Sequence, residues 1–231
     1  VIVPTVESVI AIKGEADNPV HDIALQGLTI RATTTPCGAG GFGALKYDGA
    51  ISTMHLQNTR IEDVTVSQVG GQGLKLWATT GATVHNCEIT ATGAGGVVIQ
   101  GSDAVVTNNH IHHVGLTYAS ALALRCGGDR HRLAHNHIHH TPYSAINAGG
   151  KQICIEHNRF HHVMEELVDG AAIYMFAAHE AIVRGNLTYD VRDEQVHAYY
   201  LDEQSRDSLV EDNIAIGVAW PLHMHMASAC T

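Results

Sequence analysis

Asp169 and Asp202 are the residues whose type and placement point most directly to chemistry. Asp169 stands at a loop lip just before Gly170 and an apolar run, Ala172-Ile173-Tyr174, and Asp202 lies in the run Tyr199 to Glu203. If the two runs are neighbouring strands, the carboxylates approach within roughly 5 to 10 Å, the range in which paired carboxylates hydrolyse a glycosidic bond. One protonates the leaving oxygen, while the other attacks the anomeric carbon or activates water. Each residue also has an ordinary role, Asp169 as the turn residue of an Asp-Gly step and Asp202 as a solvated edge carboxylate. Glu165, Glu166 and Glu203 are reserves.

Whether those runs are neighbours depends on the repeat. Asn109, Asn136, Asn158, Asn186 and Asn213 recur at intervals of 27, 22, 28 and 27 residues. Two positions after each lies an apolar or small residue, and the resulting column reads Ile30, Val66, Ile89, Ile111, Ile138, Phe160, Thr188 and Ala215. Periods of this size mark a solenoid. The expected fold is all-β, a parallel β-helix of about eight coils in which equivalent residues stack about 4.8 Å apart. Stacked amides then hydrogen-bond from coil to coil. Asn also tolerates the left-handed backbone of a tight corner, which accounts for its place there.

Residues two apart in a strand face the same way. On one sheet, alternation sends Leu74, Leu76, Val97, Ile99, Leu122, Leu124, Ile146, Ile173, Met175, Tyr199, Leu201, Leu222 and Met224 inward. Outward go Lys75, Trp77, Gln100, Arg125, Asn147, Tyr174, Phe176, Tyr200, Asp202, His223 and His225. Aromatic platforms, amide and guanidinium donors, carboxylates and imidazoles on one face suit a glycan. Arg125, Asn147, Tyr174, Phe176, Tyr200, Glu203, His197, His223 and His225 are therefore the candidate substrate-binding residues around the catalytic pair. The longer coils carry their surplus after the same corner, around Gly115 to Ser120, Met164 to Asp169 and Arg192 to His197. Loops leaving one corner of successive coils must form a wall beside that sheet. The largest insertion, Thr33 to Asp48, is expected to extend it.

Histidine is abundant, at 18 residues, and ordered. His112, His139 and His161 stand one past the column, and His113, His140 and His162 two past, so each trio forms a vertical stack. Such a stack can ligate zinc or copper, but neutral rings satisfying one another and the backbone are the commoner arrangement, and no metal or other cofactor is assigned.

The 23 acidic and 13 basic residues give a net charge of −10. Phosphate recognition needs a basic stripe that is missing, which argues against nucleic acid as a partner. No run approaches the roughly 20 apolar residues of a membrane span, and no signal peptide is evident. The five cysteines fall in different registers without a CxxC pair, and read as buried or half-buried free thiols. Residues 1–231 read as one β-helix domain. Neither end looks like a cover, so the expectation is a fragment of a longer protein with an open, sticky C-terminal coil.

The runs Asn18-Pro19-Val20-His21-Asp22-Ile23, Gly27-Leu28-Thr29, Asn108-Asn109-His110-Ile111-His112-His113, His135-Asn136-His137-Ile138-His139-His140, Asp169-Gly170-Ala171-Ala172-Ile173-Tyr174 and Tyr200-Leu201-Asp202-Glu203 carry a resemblance. The chain resembles right-handed β-helix proteins of the pectate-lyase-like superfamily, and within it proteins similar to glycoside hydrolase family 141. The resemblance implies a right-handed helix, a secreted or periplasmic location, a polysaccharide or oligosaccharide substrate, and catalysis by the aspartates matching Asp169 and Asp202. Such relatives often carry Ile-His-Asp where this chain has Ile-His-His or Phe-His-His, although Asp190 keeps the acid. Three classes stay open. A glycoside hydrolase is favoured by the carboxylates. A polysaccharide lyase would recruit Arg125, Lys151 and Tyr143 to neutralise a uronate and move its proton. The third is a non-catalytic glycan-binding domain.

Overall fold

The computed structural model describes residues 3–191 and 195–231. Every paired strand is parallel to its neighbour, and the strands form three long sheets. Each coil visits them in the same order. Sheet A runs from Ile10–Lys13 to Trp220–Met224, sheet B from Ala24–Gln26 to Leu209–Glu211, and sheet C from Thr29–Arg31 to Ile214–Ile216. The column expected from the sequence is the inward line of sheet C, where Ile30, Val66, Ile89, Ile111, Ile138, Phe160, Thr188 and Ala215 are successive partners in all eight strands.

Short strands of β-branched residues suit this architecture because each needs only one inward side chain to join the core. Ile61, Val84, Val106, Leu133, Ile155 and Val183 supply it from sheet B, and all are buried. Burying one such aliphatic side chain contributes about 1.5–3 kcal/mol. In the last coil Leu222 and Met224, inward by alternation, are 43% and 53% exposed.

The asparagine ladder runs without a gap. Asn109 Nδ2 donates to Asn136 Oδ1 at 2.9 Å, Asn136 to Asn158 at 2.9 Å, Asn158 to Asn186 at 3.0 Å and Asn186 to Asn213 at 2.9 Å. The left-handed corner lies one residue earlier than expected. Asn108, His135, His157 and Asp212 adopt φ of 57°, 56°, 55° and 53°, with Gly185 at 62°, while the ladder asparagines do not. Asn is therefore selected by its buried amide and not by its backbone. One coil before Asn109, Cys87 occupies the ladder position, and its thiol lies 3.5 Å from the Ile61 carbonyl. All five cysteines are free; Cys37 is exposed, against expectation, because it sits in the largest insertion.

The loop wall is built. Gly43 bridges to Ala121, Ser120 Oγ donates to Gly41 O at 3.0 Å, and Tyr118 Oη to Pro36 O at 2.9 Å. Tyr47 stacks on Tyr118 at 4.3 Å. Further along, Phe42 meets Tyr143 edge-on at 6.2 Å, and Tyr143 Oη donates to the Asp169 carbonyl at 2.9 Å. The insertion at 33–48 thus connects through successive loops to the lip that carries Asp169. The third surplus segment, around Arg192 to His197, lies in part outside the described residues.

Candidate functional site

Parallel pairing in register sets Lys75, Val98, Arg125, Asn147, Tyr174, Tyr200 and His223 in one outward line on sheet A. Arg125, Tyr174 and His223 are half-buried, whereas Asn147 and Tyr200 are buried although they face outward. Side chains one strand spacing apart lean over one another, which closes the face more than alternation alone suggests. A second outward line runs from Lys13 through Met54, Trp77 and Gln100 to Gly127 and Gly149, which carry no side chain. Phe176, 42% exposed, stands beyond that gap.

Asp202 is the best-held polar group on this face. The strand ends at Leu201, so Asp202 sits just past it and not within it, although its N–H still donates to Met175 O at 2.8 Å. It is 9% exposed. Tyr174 Oη donates to its Oδ2, and His225 Nδ1 lies 2.8 Å from its Oδ1. Burial alone would raise the pKa of this carboxyl, but hydrogen bonds from Tyr174, His225, the Glu203 backbone and Tyr200 outweigh it and hold the pKa below the ordinary carboxylate value. The Tyr174 phenol is pushed far up by burial and by Asp202, and therefore stays a donor.

Asp169 is an exposed lip residue in the left-handed region at φ 61°. Buried Gly170 follows, and the Gly170 carbonyl lies 3.2 Å from His197 Nδ1. His197 Nε2 is in turn 2.8 Å from His223 Nδ1, and the His223 ring lies 4.4 Å from that of Tyr200. Both aspartates act on the same rings. Burial raises the Tyr143 and Tyr200 phenols, Tyr200 to about 12, and the charges of Asp169 and Asp202 add to the rise in both. The His223 imidazole is lowered by burial and by His197 and His225, with Asp202 and Asp169 opposing. Tyr143, considered from sequence only for lyase chemistry, is thus the link between wall and sheet. Glu203 is half-buried beside Asp202, and its carbonyl accepts from Ala177 N at 3.0 Å.

Arg125 is a half-buried cation of the face. Its guanidinium donates to the carbonyls of Cys126 and Asn147, burial lowers its pKa, and no carboxylate reaches ion-pair distance among the described residues. A cleft of about 440 Å³ lies on the same face towards the N-terminal coils, lined by residues including Lys46, Asp48, Ser52, Met54, Lys75 and Trp77. Lys75 is four strand spacings, about 19 Å, from Tyr174 along the line. The cleft is therefore remote from the carboxylates, and the chemistry is assigned to the hydrogen-bonded aspartate and not to that cleft.

The histidine stacks form on the outer face of sheet C. His112, His139 and His161 stack at 4.9 and 4.5 Å, and His113, His140 and His162 at 4.4 and 4.7 Å. His110 and His137, one position before the column, add a third line at 5.0 Å that the stacks after the column did not predict. Burial and neighbouring imidazoles pull His137 down to about 4 and His139 to about 3. An unfolded histidine titrates near 6.5, so between about pH 6.5 and pH 4 the unfolded chain binds more protons and stability falls as pH falls. With the shifts discounted for these half-exposed rings, the melting temperature in chelator-containing buffer is expected to drop on the order of 5 °C from pH 7.5 to pH 4.5. A flat scanning-fluorimetry profile over that range would refute the enclosed, neutral stack.

Comparison with known proteins places these features. The family model described as a right handed beta helix region matches residues 26–152. No curated protein matches the sequence. Among solved structures, one described as a glycoside hydrolase is similar with a TM-score of 0.76 at 19% identity, over 98% of this chain and 51% of that one. An alginate lyase from Paenibacillus sp. str. FPU-7 is similar with a TM-score of 0.65 at 14% identity, over 94% of this chain and 86% of that one. The A-module of the Azotobacter vinelandii mannuronan C-5 epimerase AlgE4 gives 0.52 at 14% identity, over 95% and 75%. This chain spans about half the length of the glycoside hydrolase it matches.

Proposed function

Because the chain belongs to the right-handed β-helix family, we propose that it is a carbohydrate-active protein that hydrolyses glycosidic bonds of a polysaccharide or oligosaccharide bound along sheet A. The observation that carries this reading is Asp202, nearly enclosed yet kept ionised by Tyr174 and His225, in the same group of rings that feels Asp169. An ionised, oriented carboxylate serves as the base or nucleophile; the exposed Asp169 on the facing lip serves as the proton donor to the leaving oxygen. Tyr143 ties that lip to the sheet, and Phe176 and Tyr200 offer faces for a sugar ring. The solved neighbours described as a glycoside hydrolase, an alginate lyase and a mannuronan epimerase support a glycan as substrate. A polymeric substrate in turn supports a location outside the cytoplasm.

One observation favours a second reading. Among the described residues no carboxylate reaches ion-pair distance of Arg125, which stands two strand spacings, about 10 Å, from Tyr174 on the same line. A uronate carboxylate would complete it, and the phenols and imidazoles around Asp202 could then carry the proton transfers of a β-elimination. Incubation with neutral and uronate-containing polysaccharides separates the two. Hydrolysis releases reducing ends without ultraviolet absorbance, whereas elimination leaves an unsaturated, absorbing sugar. Binding with neither product would leave a glycan-binding domain and overturn both enzymatic readings.

A further inference from the structure

Eight imidazoles on sheet C are unused by the reading above, and they converge. His110 pairs in register with His137, and His112 with His139, which pairs with His161. The ring nitrogens approach one another within hydrogen-bond distance. His110 Nε2 and His139 Nε2 are 2.8 Å apart, His137 Nε2 and His161 Nε2 3.0 Å, and His139 Nδ1 and His140 Nδ1 2.6 Å. Three sets, His110 with His137 and His139, His112 with His113 and His139, and His139 with His140 and His161, each bring three ligand nitrogens within 4.8 Å of one another. His139 is common to all three. Arg159 follows His137 on its line, but its guanidinium is bonded to Tyr189 Oη at 2.7 Å.

A second observation is independent of the stacking. His112 Nε2 is buried and has no hydrogen-bond partner, with the Glu88 carboxylate 3.6 Å away. An enclosed imidazole nitrogen left unpaired is unfavourable, and a cation between it and an acid would satisfy it. Glu88, His110 and His112 also bring three ligand atoms within 4.8 Å. Three nitrogens bound to zinc at about 2.0–2.1 Å in tetrahedral geometry stand roughly 3.3 Å apart. Within the set His110, His137 and His139, the His110 and His139 nitrogens are 2.8 Å apart and all three lie within 4.8 Å of one another, so ring rotations bring them to that spacing.

We propose that this face binds a transition-metal dication of the zinc, copper or nickel class through His110, His137 and His139, with His112 and Glu88 supplying the next ligand. An all-imidazole set with one carboxylate suits those ions and not magnesium or calcium, which take oxygen ligands. A neutral imidazole offers one lone pair, and a metal would take the place of the ring-to-ring hydrogen bonds that now engage it. The site lies on a different sheet from Asp169 and Asp202 and does not depend on the proposed hydrolysis.

The test uses the untagged full chain, stripped with chelator and titrated with zinc chloride by calorimetry, with bound metal counted after gel filtration. At least one equivalent of zinc is expected to bind with a Kd in the micromolar range or tighter and to raise the melting temperature. His139→Gln and, separately, His110→Gln should each weaken binding at least tenfold while the circular dichroism stays that of the β-helix, and His21→Gln, on an exposed coil, should change nothing. Absence of stoichiometric zinc overturns the proposal and leaves a purely hydrogen-bonded stack. Equal binding by the wild type and a folded His110→Gln overturns it as well, by placing the metal elsewhere.

Discussion

Asp202→Asn is expected to lower kcat by about 10³-fold or more on whichever glycan the protein cleaves, with the melting temperature shifted by only about 2–3 °C. General base or nucleophilic assistance contributes about 10² to 10⁴ in rate, and an amide cannot supply it. The fold tolerates the change because Asn keeps an oxygen to accept the Tyr174 hydroxyl, and the backbone bond to Met175 is untouched. Tyr174→Phe gives a finer readout. Removing that donor takes away a group that holds the Asp202 carboxyl down, so the acid limb of the pH–rate profile should move up while most activity at pH 7 remains. Asp169→Asn should be nearly as damaging to kcat if Asp169 donates the proton, and the loss should shrink for substrates with an acidic leaving group. Full activity in Asp202→Asn would remove that residue from the mechanism and move attention to the Tyr143, His197 and Arg125 arrangement.

The sequence disclosed what stacking repeats. A column such as Ile111, Ile138 and Phe160 is legible because every coil must fill the same inward place, and the wall because surplus residues leave one corner. Alternation assigned the faces of the paired strands of sheet A correctly for the same reason, but Leu122, expected inward, lies before its strand and packs under Gly43 of the largest insertion. It could not assign depth. Asn147, Tyr200 and Asp202 face outward yet are buried, since covering depends on how far neighbouring side chains reach, and a period of two carries no information about reach. Placing the left-handed corner on Asn failed in an instructive way: the residue needing positive φ and the residue needing a buried amide are adjacent, and short intervals blur them. The Phe42 to Tyr143 to Asp169 connection was beyond the pattern because it joins loops of unlike length. The His110 and His137 line obeys the same repeat one position before the column and is legible by the same rule.

The ladder yields the largest stability prediction. Asn136 Oδ1 accepts from the Asn109 backbone N–H at 3.1 Å and from Asn109 Nδ2 at 2.9 Å. Its own Nδ2 donates to Val106 O at 3.0 Å and to Asn158 Oδ1 at 2.9 Å. Asn136→Ala therefore removes four hydrogen bonds and leaves buried partners on both neighbouring coils with no water to replace them. A net bond contributes about 1 kcal/mol, and an orphaned buried group costs about 1–3 kcal/mol, so a loss of about 4 kcal/mol is expected, some 10 °C in melting temperature. Asn136→Asp should not rescue it, because a carboxylate cannot donate to Val106 O and would be desolvated. Asn213 gives the internal comparison. It accepts from Asn186 N and Nδ2 at 2.9 Å and donates to Val183 O at 2.8 Å, but it is half-buried, so water can take over part of its role. Asn213→Ala should cost less than half as much. Equal losses at the two positions, read by thermal or urea unfolding, would mean that the amides are replaceable at any depth and that the ladder does not hold the coils in register.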